Sequence, residues 1–316
     1  MQDPFYCFSG GTSSEDLTDP STPAATQSGQ SIAVSVYRTK MSGRSRLITV
    51  TWCKDLLIHG LTVSVDDSCF SSSSSSVSPN NNNNNQCKVE LRPWYFWRRQ
   101  GSKRLDDIGS SSPIDVFWDL RTAKFSAGEP EPRSGYYVAV VSGDEVVLLL
   151  GDQKKEAYRK TGARPSLDSA RAVSRKEHVF GKRRFATRAS FFGERRAHEI
   201  SIECEQAREG GTGGGGDPEM VVRVDGAVSV RVKHLQWKFR GNECISVNKA
   251  RVEVYWDVHD WLFCPGLRHA LFIFKPAVSS AVVAAAAAAD TMSSDCSMVA
   301  AGVSEFCLFL YAWRLD

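Results

Sequence analysis

Several familiar signatures are missing from this 316-residue chain, and each absence narrows what the protein can do. No G-x-x-x-x-G-K-[ST] occurs, and the glycine run at 210–216 lacks the strand–turn–helix setting of a phosphate loop. H-E-x-x-H and G-x-S-x-G are absent too, which removes the common zinc-protease and serine-hydrolase patterns. Six histidines (His59, His178, His198, His234, His259, His269) are scattered, none at zinc-ligand spacing to a cysteine. Nine cysteines contain no C-x-x-C pair, and no Asn-x-Ser/Thr acceptor is present. The odd count, with Cys53, Cys204 and Cys307 inside strand-like runs, predicts free, mostly buried thiols and a cytoplasmic or nuclear location. The opening Met1-Gln2-Asp3-Pro4-Phe5 has no basic-then-apolar signal pattern. No apolar run reaches the about 20 residues of a membrane span; Leu271 to Ala289 is broken by Lys275-Pro276 and two serines.

What is present is alternation. Val252, Val254, Trp256 and Val258 fall on one side of a period-two pattern, with Arg251, Glu253, Tyr255 and Asp257 on the other. Met220 to Val232 reads as two strands joined by Asp225-Gly226, a dipeptide suited to a type I′ turn. Val140 to Leu150 reads as a second hairpin, and Ile114 to Leu120 with Arg121 to Phe125 as a third. Helical periodicity is confined to Asp152–Lys160 and Ser166–Arg175. With 42% hydrophobic residues a sizeable core is available, so the expectation is an antiparallel all-β protein.

The blocks also repeat in order. Leu61 to Asp67 resembles Met220 to Gly226, Trp97 to Gly101 resembles Trp237 to Gly241, and Ile114 to Leu120 resembles Val252 to Val258. Upstream, Leu47 to Cys53 is matched with His198 to Cys204. This predicts an internal duplication, two related β-sandwich or barrel-like halves of about eight strands each. The expected layout is a disordered tail (1–29), a first module (30–152), a basic linker with a short helix (153–179) and a second module (180–316). Low-complexity stretches at 71–85, 210–216 and 277–297 read as surface loops. Trp118-Asp119 and Trp256-Asp257 read as an inward Trp followed by an Asp that bonds turn amides.

Ser174 to Gly181, Ile200 to Cys204, Val254 to Trp261 and Leu310 to Trp313 resemble the plant family catalogued as domain of unknown function 868, from about Ser31 onward. The resemblance implies a plant protein without an established activity, and it carries over no site residues.

Charge is the remaining lead. Between Asp152 and Arg196 there are fourteen Lys/Arg against five Asp/Glu, a balance of +9 in a chain whose total is +3. Arg175, Lys176, Lys182, Arg183, Arg184, Arg195 and Arg196 are the candidate residues for an anionic or protein partner. Trp94-Tyr95-Phe96-Trp97-Arg98-Arg99 mixes aromatics with cations, as single-stranded nucleic-acid binders do, but its match at Trp237 argues for core. His259-Asp260 with Cys264 is the one local Cys/His/Asp group; at a strand end such residues more often cap turns. No catalytic, cofactor or metal residue is assigned. The reading is a non-catalytic binding or scaffold protein with a basic seam between its modules. The alternatives are a small-ligand carrier or enzyme with a barrel interior, which requires closed strands around a cavity, and a nucleic-acid binder.

Overall fold

The structure is a computed structural model. It describes residues 31–55, 58–67, 86–92, 96–105, 113–126, 128–168, 170–191, 197–206, 217–248, 250–277 and 306–314. The tail at 1–29 and nearly all of the three low-complexity stretches lie outside the described residues.

The chain is built from strands. In the first half these are β1 (Ser31–Met41), β2 (Arg44–Lys54), β3 (His59–Asp67), β4 (Gln86–Leu91), β5 (Gln100–Leu105), β6 (Ile114–Asp119), β7 (Lys124–Phe125), β8 (Pro132–Ser134), β9 (Tyr137–Ser142) and β10 (Glu145–Gly151). After α1 (Lys154–Thr161) come β11 (Arg164–Pro165), β12 (Arg171–Phe180), β13 (Arg184–Ala189), β14 (His198–Gln206), β15 (Pro218–Val224) and β16 (Ala227–Val232). The last elements are β17 (Arg240–Val247), β18 (Ala250–Asp257), α2 (His259–Phe263), β19 (His269–Pro276) and β20 (Cys307–Trp313).

One nine-stranded sheet, ordered β17-β18-β19-β20-β12-β1-β2-β3-β4, runs through both halves. Two smaller sheets lie against it: β11-β10-β9-β6-β5 and β13-β14-β15-β16. Pairing is antiparallel except at β12–β20 and β10–β11. None of these sheets closes, so the hollow barrel that the carrier reading requires is not formed by the described residues.

Alternation fixes which side faces in. Ile48, Val50 and Trp52 of β2 meet Leu61 and Val63 of β3, and Val116, Val138 and Val140 of the five-stranded sheet in one core. Ile200, Ile202, Met220 and Val222 meet Val252, Val254, Phe272 and Leu310 in the other. Fully burying a side chain of this size contributes roughly 1.5–3 kcal/mol, so each core outweighs any single polar contact described below. A third, smaller cluster seats Ala157 of α1 on Tyr137, Ala139 and Val141, the opposite face of the five-stranded sheet.

The halves follow the same order. β1 to β4 form a meander, as do β13 to β16, and the neighbours β5-β6-β9-β10 correspond to β17-β18-β19-β20. Gly101 lies opposite Trp118 and Gly241 opposite Trp256, and an added Cβ would overlap the indole edge at either glycine. Trp118 Nε1–H donates to the Arg98 carbonyl and Trp256 Nε1–H to that of Lys238, both at 3.0 Å. Each following Asp accepts the amide two residues on: Arg121 N–H at 3.1 Å and His259 N–H at 3.2 Å.

Several expectations need correction. The third hairpin does not form: β6 pairs with β5 and β9, while Lys124-Phe125 pairs with β8. The Asp119 carboxylate binds the Arg121 amide and guanidinium and turns the chain out of the sheet. Ser166–Arg175 is not helical; its end enters β12, where pairing with both β1 and β20 outweighs helical periodicity. Trp237 is 81% exposed rather than core, because residues 233–239 form a turn instead of continuing a strand. The side chains of Trp94 to Trp97 lie outside those described. The Asp225-Gly226 turn is as expected, with φ positive at both residues (49° and 83°).

Candidate functional site

The basic residues singled out by sequence do not share one surface. Arg175 points into the protein, where its side chain is 18% exposed. Its guanidinium donates to Glu177 at 2.6 Å, Glu131 at 2.7 Å and Ser35 Oγ at 3.2 Å. Burial opposes the charged form, but the two carboxylates outweigh it and raise its pKa above the ordinary arginine value. This is a half-buried clamp joining β1, β12 and the residue preceding β8. Lys176 sits on the other face of the sheet, its amine 5.9 Å from the Phe309 ring centroid. Arg184 is paired with Glu203 at 2.7 Å. Arg195 and Arg196 lie outside the described residues.

Lys182 and Arg183 differ from all of these. They occupy the turn by which the chain leaves the nine-stranded sheet after β12 and enters the four-stranded sheet at β13. The turn is tied at both sides: Gly181 N–H donates to the Trp313 carbonyl and Cys204 N–H to that of Arg183, each at 2.9 Å. Both side chains are exposed, and neither forms an ion pair among the described residues. The Lys182 amine reaches Gly128 of the first half, so this turn lies at the seam between the halves.

Around the turn is a groove of about 290 Å³ lined by Gly181, Lys182, Arg183, Trp261, Leu262, Trp313 and Arg314. Trp261 is a buried anchor of α2 (5% exposed), and Trp313 is half-buried at the end of β20. Trp313 Nε1–H donates to His178 Nδ1 at 3.0 Å, and its ring lies nearly parallel to Phe180 and His178. The groove therefore joins Lys182 and Arg183, which form no ion pair among the described residues, to a fixed aromatic wall. Sequence reasoning found Lys182 and Arg183 but missed Trp261, Trp313 and Arg314. These come from α2 and the C-terminal strand, and only the β12–β20 pairing brings them beside the turn.

A larger depression, about 690 Å³, occupies the corresponding end of the first half, lined by Asp119, Arg121, Thr122 and residues 152–156. Its charges are of both signs: Arg121 is paired with Asp119 at 2.7 Å and Glu156 with Arg159, while Lys154 and Lys155 are exposed.

The cysteines carry no disulfide among the described residues. Cys53, Cys87 and Cys204 are buried, and burial pushes the Cys87 and Cys204 thiols up to about 11 and about 12, so neither is a nucleophile at neutral pH. Cys244, Cys264 and Cys307 are more accessible. On α2, His259 Nδ1 lies 2.8 Å from Asp260 Oδ1, and Cys264 Sγ is 3.8 Å from the same oxygen. The one-turn helix brings together the three residues that sequence spacing alone had left as turn caps.

Compared with known families, the chain matches one described as "Plant protein of unknown function (DUF868)" over residues 28–314. It belongs to that family. No curated protein and no solved structure matches it. Membership of DUF868 thus brings no activity with it, and the groove has to be read from its own chemistry. No helix among the described residues of this DUF868 protein is long and apolar enough to cross a membrane.

Proposed function

We propose that this DUF868 protein is a non-catalytic binding or scaffold protein whose seam groove receives an acidic segment of a partner protein. One observation carries the reading: Lys182 and Arg183 are exposed and unpaired among the described residues, beside Arg314 and the Trp313 ring. Lys and Arg donors gain most from charged acceptors, since charge-assisted hydrogen bonds are about twice as strong as neutral ones. The site is partly open, so salt screens it, and affinity falls as ionic strength rises.

We also read the two halves as copies of one eight-stranded unit, joined by β12. The matching strand order and the paired Gly–Trp contacts support this.

The test is fluorescence anisotropy of a labelled poly-glutamate peptide against the full chain at low salt. Lys182→Glu with Arg183→Glu should weaken binding at least ~10-fold, the loss of about two charged contacts. Arg184→Glu, at a residue already paired, should change it much less. Equal binding by the wild type and the Lys182/Arg183 variant overturns the reading.

A further inference from the structure

The anion reading leaves unused a second set of groups on α2, on the residues flanking its groove-lining Trp261 and Leu262. His259 Nδ1, an Asp260 carboxylate oxygen and Cys264 Sγ all lie within 4.8 Å of one another. Zinc bonds of about 2.0–2.3 Å in a tetrahedron set ligand atoms about 3.3–3.6 Å apart. The observed 2.8 Å (His259–Asp260) and 3.8 Å (Cys264–Asp260) lie on either side of that spacing, within small side-chain adjustments.

We propose that His259, Asp260 and Cys264 bind a zinc ion, with a fourth position left open to water. The donor set selects the metal. Magnesium and calcium take oxygen ligands, whereas one imidazole nitrogen, one thiolate and one carboxylate suit a borderline-soft ion. On binding, the Cys264 thiol gives up its proton to solvent and the neutral imidazole carries its proton on Nε2, so that the thiolate and Nδ1 lone pairs go to the metal.

The ligands are held in place by structure that is already present. Cys264 N–H donates to the Asp260 carbonyl at 3.1 Å, which closes the turn. Asp257 accepts the His259 amide at 3.2 Å and fixes its start. The rings of Phe239 and Phe263 stand 4.9 and 5.5 Å from the His259 ring and limit its rotation. Trp261, buried between the ligands in sequence, ties the helix to the core. Arg268 also acts on Asp260, and its charge opposes a cation there. This inference does not depend on what the neighbouring groove binds.

The experiment titrates untagged, chelator-stripped full-length protein with Co²⁺, then displaces the cobalt with Zn²⁺. One equivalent of Co²⁺ should give a thiolate-to-cobalt charge-transfer band and tetrahedral d–d bands, both lost on adding zinc. Cys264→Ser should lose the charge-transfer band, while Cys244→Ser, at the exposed cysteine elsewhere, should keep it. His259→Ala should weaken zinc binding at least ~100-fold, the upper end of the loss from removing a supporting contact. Thermal melts of the metal-free variants check that they are folded. Absence of saturable binding in the wild type, a band that survives Cys264→Ser, or wild-type affinity in His259→Ala overturns the proposal.

Discussion

Gly241→Ala tests the packing of the second half at a single methyl group. Gly241 faces Trp256 across β17–β18, and the new Cβ would overlap three atoms of the indole ring. The ring has little room to retreat: Trp256 is 9% exposed and its Nε1–H is bonded to the Lys238 carbonyl. Overpacking costs about 1–3 kcal/mol, and the displaced hydrogen bond costs about 1 kcal/mol more. Replacing glycine by alanine returns about 0.4–1 kcal/mol by restricting the unfolded chain. The net expectation is about 1–3.5 kcal/mol, or roughly 2–14 °C in melting temperature for a domain of this size. Gly101→Ala should cost only about 1 kcal/mol, because Trp118 is half-buried and can swing outward. A Trp256→Phe replacement removes the overlapped atoms, so the double variant should be more stable than the sum of the singles predicts, by at least about 1 kcal/mol. Urea unfolding followed by far-UV circular dichroism measures the four variants against the wild type. If Gly241→Ala unfolds with the wild type, or the double variant is additive, the close glycine–indole contact is not the constraint described.

Three further outcomes rest on other parts of the fold. Arg175→Met leaves the half-buried Glu131 and Glu177 without their cation and should destabilise the protein by about 2–3 kcal/mol in urea unfolding, partly recovered by adding Glu131→Gln. Burial, with His269 and Lys176 nearby, lowers His178 to about 4, below its ordinary value of about 6.5. The unfolded chain therefore takes up a proton that the folded protein refuses, and stability falls as pH drops from about 6.5 toward 4, by up to about 3 kcal/mol. His178→Phe should remove that part of the slope; parallel pH profiles for variant and wild type would contradict it. Trp237→Ala, at an exposed turn residue, should shift stability by less than about 0.5 kcal/mol.

Local chemistry was legible where one residue type has one good solution. Asp225-Gly226 demanded a turn with two positive φ values, and the Asp after each strand-end Trp demanded a nearby amide. What was not legible depended on partners distant in sequence. Ser166–Arg175 looked helical from its periodicity, yet Arg175 belongs to a strand and is paired with Glu131, which the sequence could not place beside it. The match at Trp237 argued that the aromatics at 94–97 are core, but similarity of sequence does not carry burial with it, and a turn exposes Trp237. Strand register is likewise set by partners far away: Trp52 lies opposite Leu61 and Cys204 opposite Met220, and in a strand one residue reverses the face. Of the groove, the turn cations were visible in a charge count; the tryptophan wall was not, because it required the parallel β12–β20 pairing.

That pairing explains why basic residues so close in sequence have different roles. β12 is the middle strand of the nine, bonded to β1 on one side and β20 on the other. A charge within the strand must point either toward the covered face or toward the open one. Arg175 points to the covered face and needs two carboxylates to stay there; Lys176 points to the open one and lies beside Phe309. Beyond Phe180 the strand ends, alternation no longer applies, and Lys182 and Arg183 can project together. The turn that carries them is bonded to β20 and β14 on either side. Its two cations therefore stand on a fixed support, so little of their binding energy is lost to ordering the backbone. A basic run in sequence thus becomes a clamp within the sheet and a pair of exposed cations at its edge, with the end of β12 as the boundary between them.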